Sequence, residues 1–230
     1  MAPGCLAIMI LFGLLFLVPV FFTHAMFTAL SRLGLSPELA LVTLIGIFLG
    51  GAINIPVKRI KREEELVYDP FRIFGLDRII PWDWTSFFRR RVQAYMVLAV
   101  NVGGCLIPAT IAVYEIFRVA ERGFYELIVL TGVTLLNIAV CYRIARPIPN
   151  VGIGMPPFIP PLVAVIPSLL FVPGFAPPIA FTAGVLGPLI GADLLHLKEI
   201  ERLQTGVASI GGAGTFDGIV LSGMIAALLA

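Results

Sequence analysis

Two aspartates near the end of the chain combine the right residue type and surroundings for acid–base chemistry. Asp193 closes the motif Gly187–Asp193, Asp217 follows the stretch Ser209–Phe216, and each lies in a long apolar run. A charge near the centre of a membrane helix costs roughly 2.5–3.5 kcal/mol on insertion scales, so such residues usually serve function. Two carboxyl groups that share a site cannot both ionise cheaply, and one then holds a proton at neutral pH. Such a pair activates water with its ionised member and protonates a carbonyl oxygen with the other.

The composition places the chain in the membrane class. Of 230 residues, 59% are apolar and 13% are charged, whereas a soluble domain carries about 25% charged residues. The net charge of +2 gives no indication of nucleic-acid binding. Cys5, Cys105 and Cys141 show neither metal-ligand nor redox spacing, so we interpret them as small packing residues.

Seven apolar runs predict an all-α fold, a polytopic transmembrane helix bundle that forms one integral membrane domain over residues 1–230. The predicted spans are residues 5–27, 39–56, 92–117, 123–142, 158–173, 178–197 and 207–230. Prolines are expected to break the fifth span, and glycines are expected to break the last. Residues 57–91 are the one long polar segment, and we predict a cytoplasmic loop lying on the membrane, with Trp82, Trp84, Phe87 and Phe88 as its interfacial anchor.

The basic residues predict the orientation. Nine Lys and Arg lie in the loop 57–91, and cytoplasmic loops carry the excess of these residues. With that loop inside, Arg143, Arg146, Lys198 and Arg202 also lie inside, while Arg32, Arg118 and Arg122 lie outside. The N-terminus is then cytoplasmic, and the expected location is the cell (plasma) membrane, with several crossings.

The two aspartates are predicted at the same depth. Asp193 lies about 22 Å along the sixth span from its outer end, and Asp217 about 20 Å from the outer end of the last, at 1.5 Å per residue. In a hydrocarbon core about 30 Å thick, both carboxyl groups lie roughly 8–10 Å from the cytoplasmic face. The two spans are consecutive and antiparallel, so the sequence predicts that the carboxyl groups meet.

Four further residues are expected to support this pair. Gly191 lets a neighbouring helix approach the sixth span closely, and Gly212 and Gly214 weaken helix before Asp217. Asp217 is then expected to cap a half-helix over residues 218–230, beside unwound backbone with room for water, an extended peptide or an ion. Asn101 is the asparagine expected to reach the site, whereas Asn54 and Asn137 are interpreted as structural hydrogen-bonding residues.

Three motifs resemble an uncharacterised prokaryotic family of multispanning membrane proteins, a domain of unknown function. They are Asn101–Pro108, Ile190–Leu194 and Ser209–Gly218. The resemblance covers most of the chain after residue 90 and implies no established activity.

A looser resemblance is to the aspartyl intramembrane proteases of the presenilin and signal-peptide-peptidase type, which carry a Gly-x-Gly-Asp motif. Asp193 and Asp217 match their catalytic aspartates in order, direction and depth. Here Thr215 and Phe216 separate Gly214 from Asp217, no Tyr precedes Asp193, and no Pro-Ala-Leu segment follows Asp217. The resemblance implies hydrolysis of transmembrane or signal-peptide-like helical substrates in the lipid bilayer, with no cofactor, no metal and no nucleic acid.

Two alternative functional hypotheses involve the same residues. An ion-coupled transporter or channel also places carboxylates among proline- and glycine-broken helices. A zinc site would use Asp193 and His196, which are three residues apart and share a helix face, together with Asp217.

Overall fold

The computed structural model describes residues 3–68, 90–148, 152–202 and 207–230. These residues are mainly helical, and four segments are long and apolar enough to cross a membrane: Leu15–Arg32, Val102–Arg122, Phe124–Ile144 and Pro173–Leu194. Three shorter apolar helices accompany them, Pro37–Gly50, Ile159–Phe171 and Gly218–Leu229. The structure is therefore that of a mainly helical membrane protein.

Eight α-helices lie in the described residues. They are α1 Pro3–Arg32, α2 Pro37–Gly50, α3 Ile107–Arg122, α4 Phe124–Ile144, α5 Ile159–Phe171, α6 Ala176–Leu186, α7 Leu197–Arg202 and α8 Gly218–Leu229. A π-helical segment, Val102–Leu106, leads into α3, and a second, Gly187–Leu194, continues α6.

Helix α6 forms the centre of the bundle, with α3, α4, α5 and α8 packed around it. Its residues are small or apolar on every side, and Ile179, Ala180, Phe181 and Ala183 are fully buried. A Cβ atom on Gly184 would lie 2.9 Å from the Ser222 carbonyl oxygen of α8. Because glycine lets two helix backbones approach this closely, α8 packs directly on the central helix.

The helices run back and forth between two ends of the bundle. At one end the Arg118 guanidinium donates to the Leu33 carbonyl, joining α3 to the end of α1. At the same end the Tyr125 hydroxyl of α4 donates to the Phe171 carbonyl of α5 at 3.3 Å. We call this the arginine end. The opposite end carries the strands, and we call it the strand end.

The described residues are mainly helical, as predicted, but they also contain five strands that the all-α prediction does not include. Strands β1 (Asn54–Tyr68), β2 (Arg90–Asn101) and β5 (Val207–Ile210) form a sheet in the order β1-β2-β5, with β1 antiparallel and β5 parallel to β2. Strands β3 (Arg146–Ile148) and β4 (Gly152–Gly154) form an antiparallel pair.

Two segments that were predicted as a membrane span and a loop form strands of this sheet. Residues 92–101, predicted as the start of the third span, are strand, and residues 57–68, predicted as a surface loop, are β1. A short apolar run rich in valine suits a strand as well as a helix, and pairing with distant segments decides between them. The predicted anchor, Trp82, Trp84, Phe87 and Phe88, lies outside the described residues.

The last predicted spans also differ in detail. Helix α5 is continuous across Pro167, so the structure does not show the predicted proline break. The run 207–230 is not one helix: β5 is followed by a glycine turn, a 3₁₀ turn at Gly214–Phe216 and then α8.

Candidate active site

Asp217 is the N-cap residue of α8. Its backbone is extended, at φ −69° and ψ 149°. Its Oδ1 accepts a hydrogen bond from the Ile219 N–H at 3.0 Å, and its Oδ2 accepts one from the Ala213 N–H at 3.3 Å. Asp is among the best N-cap residues because its carboxylate satisfies N–H groups of the first turn. Capping is thus one role of Asp217.

Asp193 lies in the π-helical segment that continues α6. The Leu195 N–H donates to the Ile190 carbonyl five residues back, at 2.9 Å, and the His196 Nδ1 lies 3.1 Å from the Gly191 carbonyl oxygen. Single π turns widen a helix and are frequent at functional sites. The widened turn places the Asp193 side chain toward the strand end.

Helix α4 holds this π-helical segment in place. The Asn137 side chain donates to the Ala183 carbonyl at 2.8 Å, at the point where α6 ends. A Cβ atom on Gly187 would lie 2.5 Å from Asn137 Nδ2, and one on Gly191 would overlap the Ile138 carbonyl oxygen. Small residues are therefore required along the contact with α4, and they fix the direction in which Asp193 leaves the helix.

Asp193 and Asp217 line the same two cavities. The first, of about 340 Å³, is bordered by the continuous backbone run 207–213 and by Gly152 and Ile153 of β4; we call it the strand cavity. The second, of about 290 Å³, is bordered by Pro157, Pro160 and Pro188; we call it the proline cavity. Both side chains are half-buried.

Backbone N–H groups accompany the two aspartates. Those of Ala213 and Ile219 donate to Asp217, and Gly211 lines the strand cavity together with both aspartates. Two acids and backbone N–H donors that share a cavity can bind and relay a proton.

Three Gly-Gly sequences contact one another next to Asp193 and Asp217. Their contact determines the path of the backbone that leads into Asp217. They are Gly50–Gly51 after α2, Gly103–Gly104 in the first π-helical segment, and the turn 211–214 after β5. A Cβ atom on Gly104 would overlap the Gly211 carbonyl oxygen, and one on Gly103 would overlap that of Ile47. Gly211 and Gly214 have positive φ angles, +72° and +61°, which side chains with a Cβ rarely adopt. We call this contact the glycine junction.

Comparison with known protein families gives a match over most of the chain. The family described as "Protein of unknown function (DUF1614)" matches residues 48–229. The chain belongs to this family. No curated protein and no solved structure matches the chain. The predicted membership of an uncharacterised family is thereby confirmed, while the comparisons give no support to the likeness with aspartyl intramembrane proteases.

The four predicted supporting residues have different positions in this DUF1614 chain. Gly212 lines the strand cavity. Gly214 packs against Gly51 in the glycine junction, and Gly191 packs against α4. Asn101 is fully buried behind the junction rather than in the wall of either cavity. In the structure, Asn101 thus lies outside the two cavity walls that contain Asp193 and Asp217.

Asn101 instead joins the glycine junction to the sheet. Its amide donates to the Gly51 carbonyl at 2.8 Å and to Asn54 Oδ1 at 3.1 Å, and its own oxygen accepts from the Gly104 N–H at 2.7 Å. The Ser209 hydroxyl of β5 donates to the same Asn54 oxygen at 2.6 Å. Sequence reasoning missed this network and the junction, although the Gly-Gly pair recurs at 50, 103 and 211.

His196 does not join Asp193 and Asp217. Its ring bonds the Gly191 carbonyl and lies 4.9 Å from the Tyr142 ring, between centroids. Among the described residues, no group of three His, Cys, Asp or Glu is arranged to hold a metal ion. The zinc reading is therefore not supported, because the imidazole is engaged in ending the π-helical segment.

Proposed function

We propose that this protein is an aspartyl intramembrane protease in which Asp193 and Asp217 form the catalytic pair. The observation that carries the proposal is that both aspartates, from segments on either side of α7 and β5, line the same two cavities. Two carboxyl groups next to an open cavity are the arrangement that acid–base hydrolysis of a peptide bond needs.

The chemistry requires one shared proton. The ionised carboxylate takes a proton from a water molecule, whose oxygen forms the bond to the scissile carbonyl carbon. The protonated carboxyl donates its proton to the carbonyl oxygen. The carboxyl group that took the proton from water gives it to the leaving amine as the C–N bond breaks. The other carboxylate takes a proton from a hydroxyl of the tetrahedral intermediate as the new carboxyl C=O bond forms, so the pair again holds one proton. The pair titrates as a unit, so neither aspartate alone is assigned the proton.

We further propose that the chain crosses the plasma membrane seven times, with the strand end in the cytoplasm. The alternating helix ends support seven crossings. Lys58, Arg59, Arg143, Arg146 and Lys198 belong to elements at the strand end, while Arg32, Arg118 and Arg122 belong to the arginine end, which agrees with the positive-inside rule.

The helix lengths support access of water to the pair. Helices α2, α5 and α8 have 14, 13 and 12 residues, so they extend only about 18–21 Å at 1.5 Å per residue. In the proposed seven crossings, the non-helical backbone that adjoins these three helices completes their passage through the membrane. The hydrocarbon core is about 30 Å thick. Irregular backbone at membrane depth persists where it lines a water-filled cavity, and here it lines the two cavities that hold Asp193 and Asp217.

The test is cleavage of transmembrane peptides by the purified protein, with Asp193→Asn and Asp217→Asn as matched variants. Asn is as good an N-cap as Asp, so Asp217→Asn keeps an acceptor for the Ile219 N–H while it removes the acid and the acceptor for the Ala213 N–H. Cleavage by the wild type that both variants lose, with unchanged melting temperature, supports the proposal. Cleavage that persists in either variant removes that residue from the mechanism.

An ion-coupled transporter is the second candidate. The observation that favours it is that the segments carrying or facing the acids depart from α-helix at 102–106, 187–194 and 214–216, a pattern found at transporter binding sites. Proteoliposomes report on it directly: proton or cation flux that Asp193→Asn abolishes, in a protein that cleaves no peptide, would favour transport over proteolysis.

A further inference from the structure

The two cavities that meet at Asp193 and Asp217 differ in chemistry. The wall of the strand cavity contains seven consecutive residues of β5 and its following turn, Val207–Ala213. The wall of the proline cavity contains Met155, Pro157, Pro160, Pro188, Phe216 and Leu221. A run of strand and turn backbone offers hydrogen-bonding groups, whereas a wall of apolar side chains favours an apolar group.

The proline cavity has the size of a large side chain. An apolar cavity of about 150 Å³ holds one benzene molecule. At about 290 Å³, the proline cavity has room for an aromatic or long aliphatic side chain together with part of its backbone.

Met155 contributes a flexible side chain to the wall of the proline cavity. A Cβ atom on Gly218 would lie 2.8 Å from the Met155 methyl carbon, so the end of Met155 occupies the space beside the first residue of α8. Methionine is unbranched and fills irregular gaps. The length of this side chain therefore limits how far a ligand reaches past Asp217.

Phe216 places an aromatic side chain in the wall of the proline cavity. This side chain is 66% exposed and stacks on Phe22 of α1, with ring centroids 5.1 Å apart and planes at 22°. The neighbouring α1 residues 15–21 are exposed and apolar. The wall of the cavity therefore adjoins an apolar surface, which suits an apolar substrate side chain.

We infer that the proline cavity is a specificity subsite that admits one large apolar side chain next to the scissile bond, and that Met155 sets its size limit. The inference rests on the proposed protease function and adds to it the class of residue selected.

The first arm of the test uses leucine-rich transmembrane peptides that carry Ala, Leu, Phe or Trp at one scanned position. Met155→Ala lengthens the cavity and should shift the preference from Leu or Phe toward Trp by about tenfold in kcat/KM, because one methylene in an apolar pocket is worth about that factor or more. Gly218→Ala pushes the Met155 methyl group into the cavity and should shift the preference toward Ala. Met224→Ala is the matched control, since Met224 is buried in α8 away from both cavity walls, and it should leave the preference unchanged.

The second arm needs no turnover. The Asp193→Asn/Asp217→Asn protein is irradiated with the same peptides carrying benzophenone-alanine, and the crosslinked residues are mapped. Crosslinks at Met155 or Phe216 support the subsite, even if the wild type cleaves no peptide, in which case only the protease proposal fails. Crosslinks confined to other residues, or cleavage whose preference is the same in wild type, Met155→Ala and Gly218→Ala, overturn the inference.

Discussion

The arginine end and the strand end both bury carboxyl groups, but with different partners. At the arginine end, Glu115 is fully buried, and Arg118 donates to both of its oxygens at 3.0 Å. Arg118 also donates to the Leu33 carbonyl, and its guanidinium lies 5.7 Å from the Phe175 ring centroid. At the strand end, Asp217 accepts hydrogen bonds from the Ala213 and Ile219 N–H groups, and Asp193 lines the same two cavities.

This difference separates a structural acid from a candidate catalytic one. A buried carboxylate bonded to a guanidinium is neutralised, and removing one partner leaves the other charge uncompensated. Two carboxyl groups that share a cavity are instead candidates for sharing and exchanging a proton. The arginine end thus joins α1 to α3, while the strand end holds the proposed catalytic pair.

The largest expected effect is on activity at the strand end. Asp193→Asn and Asp217→Asn should each lower peptide cleavage by about 10²–10⁴-fold, the usual contribution of a general acid or base. Glu115→Gln is the matched control at the arginine end and should leave cleavage per folded molecule unchanged. The assay is kcat/KM on one transmembrane peptide. An equal loss of kcat/KM in all three variants would mean that the carboxyl groups at the strand end are no more important for cleavage than Glu115.

The largest expected effect on stability is at the arginine end. Arg118→Ala leaves Glu115 buried without its cation and should lower the free energy of unfolding by about 3 kcal/mol, the lower end of the range for a broken buried pair because Arg118 is partly exposed. Adding Glu115→Ala to this variant should recover part of the loss. The measurement is unfolding in detergent micelles. If the double variant is no more stable than Arg118→Ala, the stability lost in Arg118→Ala does not come from the unpaired Glu115 carboxylate.

The pH dependence of cleavage tests the shared proton. A pair that works with one proton loses activity when both carboxyl groups are protonated and when both are ionised, so kcat/KM should rise and then fall with pH, by about tenfold per pH unit on each limb. The Glu115→Gln variant should give the same curve. A rate that rises to a plateau without falling would indicate that no protonated carboxyl group is needed.

The smallest expected effect separates the two roles of Asp217. Asp217→Ala removes both acid and cap, and should unfold about 1 kcal/mol more easily than Asp217→Asn, which keeps an N-cap acceptor. Both variants should be equally inactive. Comparable stability of the two variants would show that the capping hydrogen bond from the Ile219 N–H contributes little.

The amino-acid sequence alone determined the class of the protein and its candidate acids. Helices α1 and α4 were predicted within a few residues because long apolar runs form helices in a membrane with hydrogen bonds inside the same segment. Asp193 and Asp217 were found for a related reason: an acid in such a run is costly wherever the rest of the chain lies.

Only the tertiary structure decided which segments meet. Residues 92–101 became a strand because β1 and β5 pair with them, and β5 is more than a hundred residues away along the chain. Asn101 bonds the glycine junction rather than the candidate site, since three Gly-Gly pairs distant in sequence come into backbone contact there. Strand pairing and the surroundings of a carboxyl group depend on atoms from other segments, and local composition carries no record of them.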